Sequence, residues 1–161
     1  MTMKTLITYY SYSGITAKVI EIFSQVLQKK GEVKVQRLKP KQEVTSFAGQ
    51  CMAARFGKRC KLEDGILFEV NAYDLIIIGL PVWAFAPTPA INTYLDRCSG
   101  LNGKKVIVLI TSGSGMGVNM CFKTIRNILQ SKGASEIREI NIPNTRMGEM
   151  DFIISSLEKA L

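Results

Sequence analysis

The sequence predicts an α/β protein: one domain, residues 1–161, on a doubly wound, five-stranded parallel sheet of order 2-1-3-4-5. Three observations carry that reading. Short apolar runs alternate with amphipathic stretches along the whole chain, which argues for a parallel sheet with helices on both faces. Two of the runs, "YDLIIIG" (Tyr73 to Gly79) and "KKVIVLIT" (Lys104 to Thr111), are unbroken and rich in β-branched residues, as strands covered on both sides are. A third, "EVKVQRL" (Glu32 to Leu38), alternates apolar and basic residues and reads as a sheet edge with one solvated side. If that strand is an edge, right-handed crossovers place the first strand inside it, and the order follows.

Taken in turn, Lys4 to Tyr10 is the first strand. Ile15, Val19, Ile22, Phe23, Val26 and Leu27 then fall on one helical face, and Gly31 is placed to stop that helix. The basic strand follows and Pro40 ends it. Residues 41–72 carry the weakest pattern; a short helix is expected from Phe47 to Phe56. After the third strand, "LPVWAFAPTP", with prolines at 81, 87 and 89, is expected to be irregular and is long for a connection. Thr88 caps a helix through Ile91, Tyr94, Leu95 and Cys98. The fourth strand leads into the flexible "SGSGMG", then a helix through Phe122, Ile125, Ile128 and Leu129, closed by Gly133. "EIREINI" (Glu136 to Ile142) is the fifth strand. The last helix gathers Met150, Ile153, Ile154 and Leu157 on one face.

Composition bounds the chemistry. With 161 residues, 47% hydrophobic and 21% charged, the chain reads as one soluble globular domain. No apolar run reaches the roughly 18 residues of a membrane span. "MTMKTLITYY" lacks the long apolar region of a signal peptide, so a cytoplasmic protein is expected. There is no histidine, which excludes Ser-His and Cys-His catalytic pairs and histidine metal ligation. The four cysteines form no C-x-x-C, and none is followed six positions on by arginine, so zinc, dithiol and thiol-phosphatase readings fail; no metal is expected. The net charge of +8 resides in one window, Lys29 to Lys61, which holds ten basic and two acidic residues. Such a window can steer an acidic redox protein or the phosphates of NADPH, bind nucleic acid without specificity, or be a solvated edge strand and helix end. No specific nucleic-acid partner is expected.

In sheets of this order, ligands bind beyond the carboxyl ends of the strands where the order reverses. Three irregular loops follow those strands. In the first, Ser11, Tyr12, Ser13, Gly14, Ile15 and Thr16 offer hydroxyls, a glycine and a helix N-terminus without Lys or Arg. That suits a phosphomonoester held by neutral donors; ordinary N-capping by Ser11 or Ser13 is the alternative. The second, Pro81, Val82, Trp83, Ala84 and Phe85, sets the only tryptophan between prolines and suits an aromatic ring system, or core packing. The third, Ser112, Gly113, Ser114, Gly115, Met116 and Gly117, partly echoes G-x-G-x-x-G. It follows the fourth strand, not the first, and reads as close backbone approach to a flat ligand or a flexible turn.

With these three loops around one crevice, the chain resembles the flavodoxin-like family. "SYSGIT" is similar to that family's phosphate loop, with Ile15 in place of the usual Asn. "YDLIIIGLPVWAFAPTPAINTYLD" resembles the strand, ring loop and helix of relatives with a Pro-x-Trp ring loop, and "KKVIVLITSGSGMG" resembles the second ring loop. The resemblance implies FMN, with its phosphate at Ser11 to Thr16 and its isoalloxazine between Pro81 to Phe85 and Ser112 to Gly117. The chain departs from the pattern in having no tyrosine in the second ring loop, no glycine in the first, and a basic charge where flavodoxins of the usual kind are acidic. The implied activity is one- or two-electron transfer through an exposed flavin, with no catalytic side chain. An FMN-dependent NAD(P)H reductase of quinones or nitro compounds is the second reading. A response-regulator receiver is excluded, because Tyr9 to Ser11, Gly79 to Leu80 and Pro143 to Asn144 stand where its acids and lysine would be.

Overall fold

Residues 2–161 are described by the computed structural model. Five β-branched or alternating runs form parallel strands: β1 (Met3–Tyr9), β2 (Gly31–Arg37), β3 (Leu75–Pro81), β4 (Lys105–Ser112) and β5 (Glu136–Pro143). Their order is β2-β1-β3-β4-β5, as the sequence predicts, and every neighbouring pair is parallel. The helices are α1 (Ile15–Gln28), α2 (Phe47–Arg55), α3 (Pro89–Arg97), α4 (Val118–Ser131) and α5 (Met150–Ala160).

Side chains alternate across each strand, so the sheet divides the apolar residues into two cores. On one face, Ile7, Ile77, Ile107 and Leu109 pack against Val19, Ile20, Phe23 and Leu27 of α1 and Ile153 and Leu157 of α5. On the other, Leu6, Ile78, Val108 and Ile110 meet Ile91, Tyr94 and Leu95 of α3 and Cys121, Phe122, Ile125 and Leu129 of α4. The helix α2 contributes Ala54 to this second core and little else.

Four local expectations change. Gly31 does not stop α1, which ends at Lys29; it opens β2 opposite Met3, where a Cβ would strike the Met3 carbonyl. The polar side of the β2 edge is solvated at Glu32 and Lys34 but closes at Gln36. Gln36 is buried, donating to Thr8 Oγ1 at 2.8 Å and to the Leu67 carbonyl at 2.9 Å, while Val35 on the other side is exposed. The reason is the backbone of Leu67, whose N–H also donates to Gln36 Oε1 at 2.9 Å. Thr88 occupies the N-cap of α3 but makes no side-chain cap, and its buried hydroxyl has no partner among the described residues. Finally, "LPVWAFAPTP" is more ordered than its prolines suggest. Leu80 and Pro81 belong to β3, and Trp83 and Ala86 exchange backbone hydrogen bonds at 3.3 and 3.0 Å around a tight turn.

Candidate cofactor-binding site

The C-terminal ends of β1, β3 and β4 converge on a cavity of about 370 Å³, within the usual range for small-molecule sites. Residues from all three loops line it: Tyr12, Ser13, Ile15 and Thr16; Pro81, Val82 and Trp83; and Gly113. Among the described residues, none that lines the cavity is charged.

The first loop is built by Ser11. Its hydroxyl oxygen accepts from the Gly14 and Ala17 N–H groups at 3.2 and 3.3 Å, and its side chain is buried. Ser11 therefore shapes the turn and does not line the cavity. Gly14 is the N-cap of α1 at φ 88°, and an added Cβ there would meet open space, so the turn needs glycine for its backbone angle alone. Among the described residues, the N–H groups of Tyr12, Ser13, Ile15 and Thr16 donate to no other group of the chain. They are the unsatisfied donors that a helix N-terminus presents to an anion. Thr16 is buried and its Oγ1 lies 2.8 Å from Thr111 Oγ1 at the end of β4, so one hydroxyl donates to the other. Behind the loop, Arg37 Nη2 donates to the Ser11 carbonyl at 2.8 Å. This guanidinium braces the loop without lining the cavity.

Trp83 is both wall and core. It lines the cavity but is only 6% exposed, with Tyr10, Tyr12 and Phe47 edge-on to it at 5.6, 5.8 and 6.0 Å. Tyr10 in turn donates to Glu43 at 2.5 Å; burial, then that carboxylate, holds its phenol above the ordinary tyrosine range. Beyond Trp83 the chain turns through Ala84 and Phe85, both at positive φ (45° and 70°), where L-residues are strained. Neither N–H donates within the described residues. The Phe85 ring is held close to the third loop: a Cβ on Gly117 would lie 2.5 Å from Phe85 Cδ1.

The third loop contributes less than the sequence suggests. Ser112 ends β4 with its side chain away from Thr111, donating to Asn141 Oδ1 at 2.9 Å. Ser114, Gly115 and Met116 are exposed and do not line the cavity; Gly117 is the N-cap of α4. Strand alternation explains the difference, because Thr111 and Gly113 share the cavity side and Ser112 cannot.

Three lining residues escaped the sequence reading: Thr111, Phe47 and Asn144. Thr111 was one residue outside the loop and was legible from the period of two. Phe47 comes from the poorly patterned stretch 41–72, and Asn144 from a short 3-10 turn after β5, neither with any signal of its own.

The residues present fit a flavin nucleotide: four free N–H donors and two hydroxyls at an uncharged helix N-terminus, and an aromatic wall beside it. Comparison with known proteins agrees. The family model described as Flavodoxin matches residues 4–151. The structure resembles a provisionally described flavoprotein from Bacteroides uniformis (TM-score 0.74, 21% identity, 98% of this chain and 99% of that one). It also resembles oxidised flavodoxin 1 from Bacillus cereus (TM-score 0.65, 17% identity, 96% and 97%). General stress protein 14 of Treponema denticola, solved with FMN, is a further match (TM-score 0.60, 14% identity, 98% and 97%). A curated relative, the FMN-dependent NADH:quinone oxidoreductase 1 of a Jannaschia species, is 26% identical over 47% of this chain; the match spans about half of that relative, 49% of its length. The family match over nearly the whole chain, on the shared fold, makes this protein a member of the flavodoxin family.

Proposed function

We propose that the chain works as a single FMN-binding domain, with the phosphate at Ser11 to Thr16 and the ring system beside Trp83. One observation supports this placement: the backbone N–H groups of Tyr12, Ser13, Ile15 and Thr16 have no partner among the described residues, and all four residues line a cavity without cations. A dianionic monoester gains charge-assisted hydrogen bonds there, and the helix dipole adds to them. Thr16 donates to the phosphate when Thr111 donates to Thr16, so Thr111 sets the direction of that proton. Trp83, held edge-on by three rings, gives a rigid apolar wall that excludes water from one side of the crevice. Bound FMN supplies one- or two-electron chemistry, and the protein supplies position and electrostatics.

The electron donor is NAD(P)H or a redox protein. A second reading, an FMN-dependent NAD(P)H reductase of quinones or nitro compounds, fits the activity of the Jannaschia relative. Anaerobic mixing of the FMN-loaded protein with NADPH or NADH separates the two. Flavin absorbance that persists until a reductase is added supports the carrier; rapid bleaching by the nicotinamide alone supports the enzyme. Among the described residues no helix is long and apolar enough to cross a membrane.

A further inference from the structure

Resting on that reading, we propose that the segment Lys39 to Lys61, with α2 at its centre, is a docking surface for an acidic redox protein. The segment closes on itself. Lys41 N–H donates to the Lys61 carbonyl and Glu63 N–H to the Lys39 carbonyl, both at 2.8 Å, so its two ends lie side by side. Between them, α2 buries only Gln50 and Ala54. Val44, Phe47, Met52 and Phe56 stand 49%, 57%, 61% and 70% exposed. α2 and the residues flanking it thus leave their largest apolar side chains in water, where burial would have stabilised the fold. Several such side chains on one short segment suit contact with another molecule.

Charge specifies the occupant. The segment holds six cations, of which Lys41 pairs with Asp64 and Arg59 with Asp96. Lys39, Arg55, Lys58 and Lys61 are exposed and in no ion pair among the described residues. The one acid, Glu43, is engaged by Tyr10. Exposed apolar side chains interspersed with unpaired cations match a partner whose surface carries apolar groups among acids, and whose approach the cations accelerate. The surface is also continuous with the cavity, because Phe47 lines it and meets Trp83 at 6.0 Å. A partner seated here lies at the mouth of the crevice. An anionic membrane fits less well: at 100° per residue, Phe47 and Met52 lie about 140° apart on α2, so the helix has no single apolar stripe to lay on lipid.

In the docked pair, one electron leaves the partner and one enters the flavin. Two partner molecules complete the two-electron reduction, with two protons drawn from solvent. The test uses the FMN-loaded protein and a reduced, acidic [2Fe–2S] ferredoxin as probe, followed by stopped-flow flavin absorbance. The bimolecular rate is expected to fall about tenfold or more between about 20 and 300 mM NaCl, and a comparable amount in Lys58→Glu/Lys61→Glu at low salt. Lys29→Glu/Lys30→Glu, at the far end of α1, is expected to change it less than about twofold at the same salt. Phe56→Ser should slow transfer while leaving the salt slope intact. Equal effects of the two charge reversals, or a rate indifferent to salt, overturn the proposal. So does binding of phosphatidylserine vesicles or single-stranded DNA that depends on Lys58 and Lys61 while ferredoxin transfer does not. Anisotropy of labelled ferredoxin against the FMN-free protein reads the surface separately: docking without FMN uptake refutes the flavin reading alone, and FMN uptake without docking refutes this proposal alone.

Discussion

On the proposed placement, Thr16 and Trp83 divide the work of one crevice between two chemistries, and substitutions separate them. Thr16→Val removes a hydroxyl beside the phosphate position and should weaken FMN by about 1.5–3 kcal/mol, the worth of a hydrogen bond to a charged group. Riboflavin, which has no phosphate, should be unaffected. Trp83→Ala should weaken both flavins alike, since it removes a wall and no phosphate donor. Fluorescence titration of each variant with each flavin reads all four affinities, and a Thr16→Val protein that loses riboflavin equally refutes the division. Cys121 bears on the thiols. Burial pushes it up to about 12, and it is fully enclosed in the core. It should therefore stay unlabelled by a thiol reagent at pH 8 while the protein is folded, whereas the part-exposed Cys51 and Cys60 react. Fast labelling of Cys121 would mean that α4 opens far more readily than its packing implies.

At the scale of elements, the two ring loops are coupled by a contact that neither shows alone. Gly117 approaches Phe85 so closely that a methyl group on it would lie 2.7 Å from the Phe85 Cα, and its φ of 79° already favours glycine. Gly117→Ala should cost about 1–3 kcal/mol of stability, by thermal melting, and should loosen flavin binding by displacing the turn after Trp83. Unchanged melting and binding would show that the turn yields without consequence. The strands, the long helices and the first loop were legible because their signals are local: β-branched runs, a period of 3.6, and a glycine between hydroxyls. The role of Gly31 was not, because it depends on the distance between two strands. Nor was the order in the turn Trp83 to Ala86, since Ala84 and Phe85 are not residues that announce a positive φ. The burial of Gln36 near the end of β2 was not legible either, because it depends on the Leu67 backbone, and nothing in the alternation itself reveals that pairing.

At the scale of the whole molecule, the parallel order 2-1-3-4-5 brings three loops far apart in sequence to one end of the sheet, so the cavity follows from topology before any side chain is considered. Ser13, Thr16 and Trp83 could be named from sequence for that reason. Phe47 and Asn144 could not, because they reach the cavity from segments outside the strand-end rule. The charge follows the same division: the basic window crosses from the end of α1 along β2 to α2, and among the described residues Phe47 is its one contribution to the cavity lining. The central claim is that uncharged backbone donors at the start of α1 grip a phosphate. Titration of the flavin-free protein with FMN and with riboflavin, under the same buffer, tests it most directly. Several charge-assisted hydrogen bonds of about 1.5–3 kcal/mol each predict FMN bound at least about a hundredfold more tightly. Equal affinities for the two flavins would contradict the account.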